Sequence, residues 1–375
     1  MPITESLLRP SLVSFGSALA TLSSLVVLGC GPKAPPPKPP EPAPVAEAEA
    51  EPEPQPEAPP PKVPEDAFSI GTFNLDWAFD PLADKRPKAA QPHTSPDDAA
   101  WEWKRNGIAD VLVAEDLDIV VLTELGGERE LTDIIATVAA KEGPDYSYAW
   151  VPSEDKLSGQ QVAILSRFPI TNERRTDAFA PMHVVGDVEL PGGEVITVIG
   201  VHLKEGSNKG AVSKRLEMAN SIKRRAVKEQ KKHPVILLGT VGDKTLPFDD
   251  GYATSAAGVL SGESTKKSGD DCEDSAAEGL AQATTVGEGA AMDRIFVCGL
   301  EMRGAETAGR DKIVRELEDP ADTPWPSTPI DAEPHRDVSD HLLLWAEVVK
   351  PKKPEPEEGE GGEAAAEGEA AAEGG

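Results

Sequence analysis

Cysteine is scarce in this chain, with three in 375 residues at positions 30, 272 and 298. There is no C-x-x-C and no histidine pair at zinc-finger spacing, so the pattern gives no ground for a structural zinc site. Positive charge is also short. Lys and Arg number 37 against 66 Asp and Glu, for a formal net charge of −29. Part of that sits in the flanks. Residues 31–65 hold three lysines against seven glutamates and residues 351–375 two against eight, which leaves −19 on residues 66–350. An acidic body repels polyanions, which disfavours tight, nonspecific nucleic-acid binding. The mostly apolar stretch 11–28 is too short, and too interrupted by Ser and Gly, for a membrane span. Nucleotide-binding signatures are missing as well. There is no G-x-G-x-x-G, and residues 206–214 carry Ala211 where a P-loop needs its second glycine.

What the ends contain is specific. Arg9 precedes the apolar stretch, which closes on Val27-Leu28-Gly29-Cys30. That order resembles a bacterial lipobox, in which a signal peptide (1–29) is cut before a cysteine that then carries lipid. Residues 30–65 are almost entirely Pro, Ala, Glu and Lys, a composition that buries too little apolar surface to fold. At about 3 Å per residue, such a linker holds a domain some tens of ångströms from a membrane. Residues 351–375 form a Glu/Ala/Gly tract of the same unfolded kind. Export implies a compartment where disulfides persist. Cys272 and Cys298 are then either bridged or two separate thiols.

The body, 66–350, alternates apolar runs with amphipathic stretches. Half-buried or fully buried strands are expected at 68–73, 118–124, 162–165, 184–190, 194–201, 292–297 and 342–349. Pro191-Gly192-Gly193 reads as a hairpin turn. Helical spacing appears at 101–114, at Leu131, Ile134, Ile135 and Val138, and over 212–232. The stretches 78–98 and 244–291 read as loops. Strands outnumber helices without strict alternation, which indicates an α/β sandwich of mixed sheets covered by helices.

The organising stretch is 234–243, P-V-I-L-L-G-T-V-G-D. Its apolar run between a proline and a glycine reads as a strand buried on both faces, delivering the residues after it to a sheet rim. Asn74, Asp76, Glu124, His202, Asp293, Asp340 and His341 likewise follow or close apolar runs. Each alone has an ordinary explanation as turn former, strand end, core histidine or cap. Together they are the inventory for gripping a hard divalent cation and a phosphate, with a proton donor near neutral pH. Ser339-Asp340-His341 is not a hydrolase triad, because consecutive side chains point apart.

The ordered motifs G-T-F-N-L-D-W (71–77), D-I-V-V-L-T-E-L (118–125), V-A-I-L-S-R-F-P-I (162–170), V-I-G-V-H-L-K (198–204), M-D-R-I-F-V (292–297) and S-D-H (339–341) resemble the endonuclease/exonuclease/phosphatase superfamily. The resemblance implies a deoxyribonuclease I-like four-layer sandwich of two mixed β-sheets flanked by helices. It implies metal-dependent hydrolysis of a phosphate-containing substrate. Glu124, with Asn74 and Asp76, would hold Mg²⁺ or Mn²⁺. His202 would contact phosphate or act as acid, Asp293 would orient His341, and Asp340 would join the metal and phosphate cluster. Lys204 and Arg215, the latter in R-L-E-M-A, would bind or support the phosphate. The departure lies in the organising stretch. Where the family reads G-D-x-N-D, this chain has Gly239-Thr240-Val241-Gly242-Asp243. The missing aspartate aligns or deprotonates the water, and the missing asparagine steadies the phosphate. The resemblance therefore implies weakened hydrolysis, or an inactive envelope protein that binds a phosphorylated ligand or partner.

Overall fold

The structure is a computed structural model. It describes residues 66–351 except 83–86, 89, 96, 153–158, 176–182, 268, 277–282, 287–290 and 314–337. The expected signal peptide, Cys30, the linker and all of the tail beyond Pro351 lie outside the described residues.

Among the described residues, twelve strands form two six-stranded sheets. The first sheet contains β1 (Ala67–Ala78), β2 (Ile119–Leu125), β3 (Tyr148–Trp150), β4 (Gln161–Ser166), β11 (Met302–Ala308) and β12 (Leu343–Val349), in the order β11-β12-β1-β2-β4-β3. The second contains β5 (Ile170–Arg175), β6 (Val184–Glu189), β7 (Val195–His202), β8 (Val235–Thr240), β9 (Glu273–Asp274) and β10 (Asp293–Cys298), in the order β5-β6-β7-β8-β10-β9. Each sheet is mixed, with β1–β2 and β7–β8 running parallel and the other pairs antiparallel.

Three apolar layers explain why the central strands read as unbroken apolar runs. Along β2, Ile119 and Val121 face the layer between the sheets, while Val120 and Leu122 face α1 (Asp98–Glu115) and α2 (Glu128–Ala140). Along β8, Ile236 and Leu238 enter the middle layer, and Val235 and Leu237 pack under α3 (Lys209–Glu229) and α4 (Ala256–Ser261). A side-chain period of two gives each such strand two buried faces. The result is a four-layer α/β sandwich.

Helices α1 and α3 begin where side chains can satisfy their free N–H groups. Asp97 accepts from Ala100 N at the start of α1, and Asn208 from Ala211 N at the start of α3. The Asn208 cap starts α3 three residues before the apolar pattern suggests, and the helix ends at Glu229 rather than 232. The stretch 244–291 is not only loop. It contains α4 and β9, both too short to announce themselves by periodicity. Cys272, immediately before β9, is disulfide-bonded to Cys298 at the end of β10. β8 runs one residue past Gly239, whose φ of 138° and close approach to the Val201 carbonyl leave no room for a side chain.

Candidate active site

Register aligns the chemistry-bearing residues at one rim. His202 on β7 lies beside Thr240 on β8, and Thr240 beside Asp293 on β10. Across the middle layer, Asn74 on β1 lies beside Thr123 on β2. Past Asn74 both pairings of β2 shift register, so that β1 places three residues opposite Glu124. Bulges of this kind re-aim side chains. Of six described non-glycine residues with positive φ, three are here: Asp76 (45°), Trp77 (57°) and Glu124 (58°). Backbone strain of this sort costs on the order of 1–3 kcal/mol per residue and persists where surrounding contacts over-determine it.

Those contacts form one continuous chain. Asn74 Nδ2 donates to Glu124 Oε1 and to Thr240 Oγ1, both at 3.1 Å. The Thr240 hydroxyl donates to Asp293 Oδ1 at 2.7 Å and meets Thr123 Oγ1 at 3.1 Å. Asp293 Oδ2 holds His341 Nδ1 at 2.5 Å, and His341 Nε2 lies 3.7 Å from Asp340 Oδ1. On the other side, His202 Nε2 stands 3.4 Å from Glu124 Oε1 and 3.2 Å from Glu205 Oε1. The Trp77 N–H donates to Glu124 Oε2 at 3.2 Å, which fixes the carboxylate between two strands. Apart from Asp340 and Glu205, the side chains named in this chain of contacts are buried.

The electrostatics follow from burial and charge. Burial pulls the His202 ring down, but hydrogen bonds and charge from Glu124 and Glu205 outweigh it and push the ring up to about 9. His341 is likewise lowered by burial and carried up to about 10, chiefly by Asp293. Burial raises Glu205, yet its contact with His202 holds it below the ordinary carboxylate value. Behind His202, its backbone N–H donates to His183 Nδ1 at 3.1 Å. Burial, with the nearby charge of His202, lowers His183 to about 3, so that ring is neutral with its proton on Nε2.

Five expected residues, Asn74, Glu124, His202, Asp293 and His341, therefore meet, with Asp340 at the exposed edge. Others sit differently. Asp76 gives its backbone N–H to Asn74 Oδ1 and its carbonyl to the buried Lys104 ammonium, 3.0 Å away. Lys204 is exposed. Arg215 does not present its guanidinium to the rim alone. It spends Nη1 on the carbonyls of Lys204 (2.8 Å) and Gly206 (3.0 Å). Asp243 accepts from Thr245 N, Ala256 N and Ala257 N, so it anchors the start of α4 and does not replace the missing aspartate. Gly242 has a φ of 64°.

The sequence reading missed Glu205, Lys104 and His183. The H-x-x-E spacing of His202 and Glu205 is the one signal that pointed to the first, and Lys104 stands out only as a cation on the buried stripe of α1.

The donor chemistry suits a divalent cation. Ligand atoms of Glu124, His202 and Glu205 all lie within 4.8 Å of one another, two carboxylate oxygens and one imidazole nitrogen. Asp76 is outside that group, and Asn74 turns its amide N–H toward Glu124.

Two mixed six-stranded sheets enclosed by helices are the fold of the endonuclease/exonuclease/phosphatase, or deoxyribonuclease I-like, proteins. Among solved structures, a humanized D. rerio TDP2 with 14 mutations matches with a TM-score of 0.50 at 14% identity, over 75% of this chain and 98% of that one. An endonuclease/exonuclease/phosphatase from Beutenbergia cavernae DSM 12333 matches at 0.48 and 15% identity, over 76% of this chain and 72% of that one. A family protein from Bacteroides thetaiotaomicron matches at 0.48 and 16%, over 76% and 98%. At these identities the likeness is one of fold. No sequence-family model matches the chain, and no curated protein does.

Proposed function

We propose that this chain is a divalent-metal-dependent hydrolase of phosphodiesters or phosphomonoesters, of the endonuclease/exonuclease/phosphatase type, working at a reduced rate. The carrying observation is the unbroken run of buried contacts from His202 through Glu124, Asn74, Thr240 and Asp293 to His341. A bound Mg²⁺ or Mn²⁺ supplies Lewis-acid polarisation of a phosphoryl oxygen. His202 Nε2, beside Glu124, would help hold that cation as a neutral ring. His341, oriented and kept protonated by Asp293, hands a proton to the leaving oxygen. Asp340 adds a carboxylate at the open edge.

The reduced rate follows from Thr240 and Gly242. The Thr240 hydroxyl is committed to Asp293 and is no base, and loss of a positioned base lowers rates about 10²–10⁴-fold. A glycine at 242 offers no side-chain donor to the developing charge, worth roughly another 10²–10³.

The test is hydrolysis of bis(p-nitrophenyl) phosphate and p-nitrophenyl phosphate with Mg²⁺ or Mn²⁺. A rate abolished by Glu124→Ala supports the reading, and a wild type no faster than that variant rejects it. A second reading, a non-hydrolysing binder of phosphorylated ligands, is favoured by the buried, fully engaged Thr240 hydroxyl. It expects no wild-type turnover and a gain of orders of magnitude in Thr240→Asp.

The lipobox-like sequence at Cys30 and the Pro-rich stretch after it support lipid anchoring to a membrane of the cell envelope, outside the cytoplasm. A Cys30→Ala chain that still partitions into detergent would overturn that part. The acidic body argues against a polyanion as the partner that brings the substrate.

A further inference from the structure

Gly242, one of the two departures from the expected motif, lies against Glu205. A Cβ placed on Gly242 would lie 3.2 Å from Glu205 Cγ and 3.6 Å from its Cα. A side chain at 242 would therefore press on Glu205, and the glycine leaves the space that Glu205 fills.

Glu205 is not a loose surface carboxylate. Leu203 N donates to the Thr240 carbonyl at 2.8 Å, which fixes the chain just past β7. Arg215, 7% exposed, then bonds the carbonyls of Lys204 and Gly206, the residues immediately before and after Glu205. Asn208 caps α3 two residues later. So bracketed, Glu205 Oε1 comes within 3.2 Å of His202 Nε2, which also faces Glu124. Three ligand groups from two segments, β2 and the end of β7 with the loop after it, converge, and one of them, His202, is 4% exposed.

We infer that Glu205 is a cation ligand of this chain, completing a Glu124–His202–Glu205 site. The inference rests on the metal-dependent reading above and deepens it. Gly242 is then a space-making residue for Glu205 and not simply a lost donor. One imidazole nitrogen beside two carboxylates suits Mn²⁺ better than Mg²⁺, which prefers oxygen throughout.

Isothermal titration of MnCl₂ and MgCl₂ into the full-length protein tests this without reference to turnover. Glu205→Gln keeps the side-chain size at a partly exposed position. It is expected to weaken Mn²⁺ binding by about 10–100-fold, the range seen when groups supporting a metal are removed. Wild type is expected to bind Mn²⁺ at least about tenfold more tightly than Mg²⁺. Gly242→Asn keeps a residue that tolerates positive φ. It should weaken Mn²⁺ binding in the wild-type background and add nothing in Glu205→Gln, because both changes act through one side chain. Unchanged Mn²⁺ affinity in Glu205→Gln, with loss in Glu124→Gln, overturns the role of Glu205 and leaves the hydrolase reading intact. Affinity for Mg²⁺ equal to that for Mn²⁺ overturns the mixed-donor site. Failure of wild type to bind either cation overturns both readings.

Discussion

Thr240 donates its hydroxyl to Asp293 Oδ1 at 2.7 Å while accepting from Asn74 Nδ2 at 3.1 Å. One alcohol thus ties the two sheets together at the rim, from the position where the resemblance expects an aspartate. The site has not simply lost a group there, because its buried polar atoms have been re-paired around a smaller one. Thr240→Val keeps the shape and removes the hydroxyl, stranding one N–H of the Asn74 amide and one Asp293 oxygen. Leaving such groups unpaired costs about 1–3 kcal/mol. Urea unfolding should show that loss, with Thr240→Ser close to wild type.

Stability should fall on both sides of neutrality, and different histidines set the two limbs. His202 and His341 are raised from 6.5 to about 9 and about 10. In the protein without a bound cation, their contribution is full below pH 6.5 and disappears as pH rises through those values. His183 is lowered from 6.5 to about 3, so its contribution is present above pH 6.5 and fades as pH falls toward 3. Asp293→Asn removes the charge that holds the His341 proton, after which burial dominates. Its ring should titrate well below 10 by NMR, and the alkaline limb of the stability profile should flatten. An unchanged His341 titration would break this account.

How much of this was legible beforehand depends on where each element buries its residues. β2 and β8 bury both faces, so their apolar runs stand out in the sequence. β5, reading I-T-N-E-R-R, is mostly exposed, and β11 alternates irregularly across a bulge. Edge strands like these carry little apolar signal. Glu124 and His202 were legible because they stand at the ends of buried runs, and Asp293 because it opens one. Glu205 was not, because it follows a strand end by three residues in a loop. Arg215, reaching across from α3, brackets it on both sides beside Glu124 and His202. Asp243 shows the reverse error, since it fits the motif's trailing aspartate yet its oxygens serve α4.

The Cys272–Cys298 disulfide closes a span with a sequence separation of 26, between the segment after α4 and the end of β10. In the loop-entropy view a closed loop of that size stabilises by about 2–4 kcal/mol. Both cysteines are buried, and Lys223 Nζ also lies 3.5 Å from Cys272 Sγ. The double replacement Cys272→Ser, Cys298→Ser is expected to lower unfolding stability by that amount while leaving far-UV dichroism unchanged. A double variant as stable as wild type would show that the bridge contributes nothing to this fold.

Arg215 offers the sharpest separation of positioning from charge. Its guanidinium bridges two carbonyls with one nitrogen, from a side chain rooted on α3. Lysine keeps the charge but reaches with a single ammonium on a looser stem, so it does not reproduce a planar, fixed fork. If Arg215 acts by bracketing Glu205, then Arg215→Lys should raise amide exchange at 203–207 and weaken Mn²⁺ binding by less than Glu205→Gln does. In the Glu205→Gln background the same change should cost no further affinity, because there is no longer a ligand to hold in place. A direct phosphate-binding role predicts the opposite pattern. Arg215→Lys would then leave Mn²⁺ affinity and loop exchange untouched and weaken binding of inorganic phosphate, so the two titrations together decide which work the arginine does.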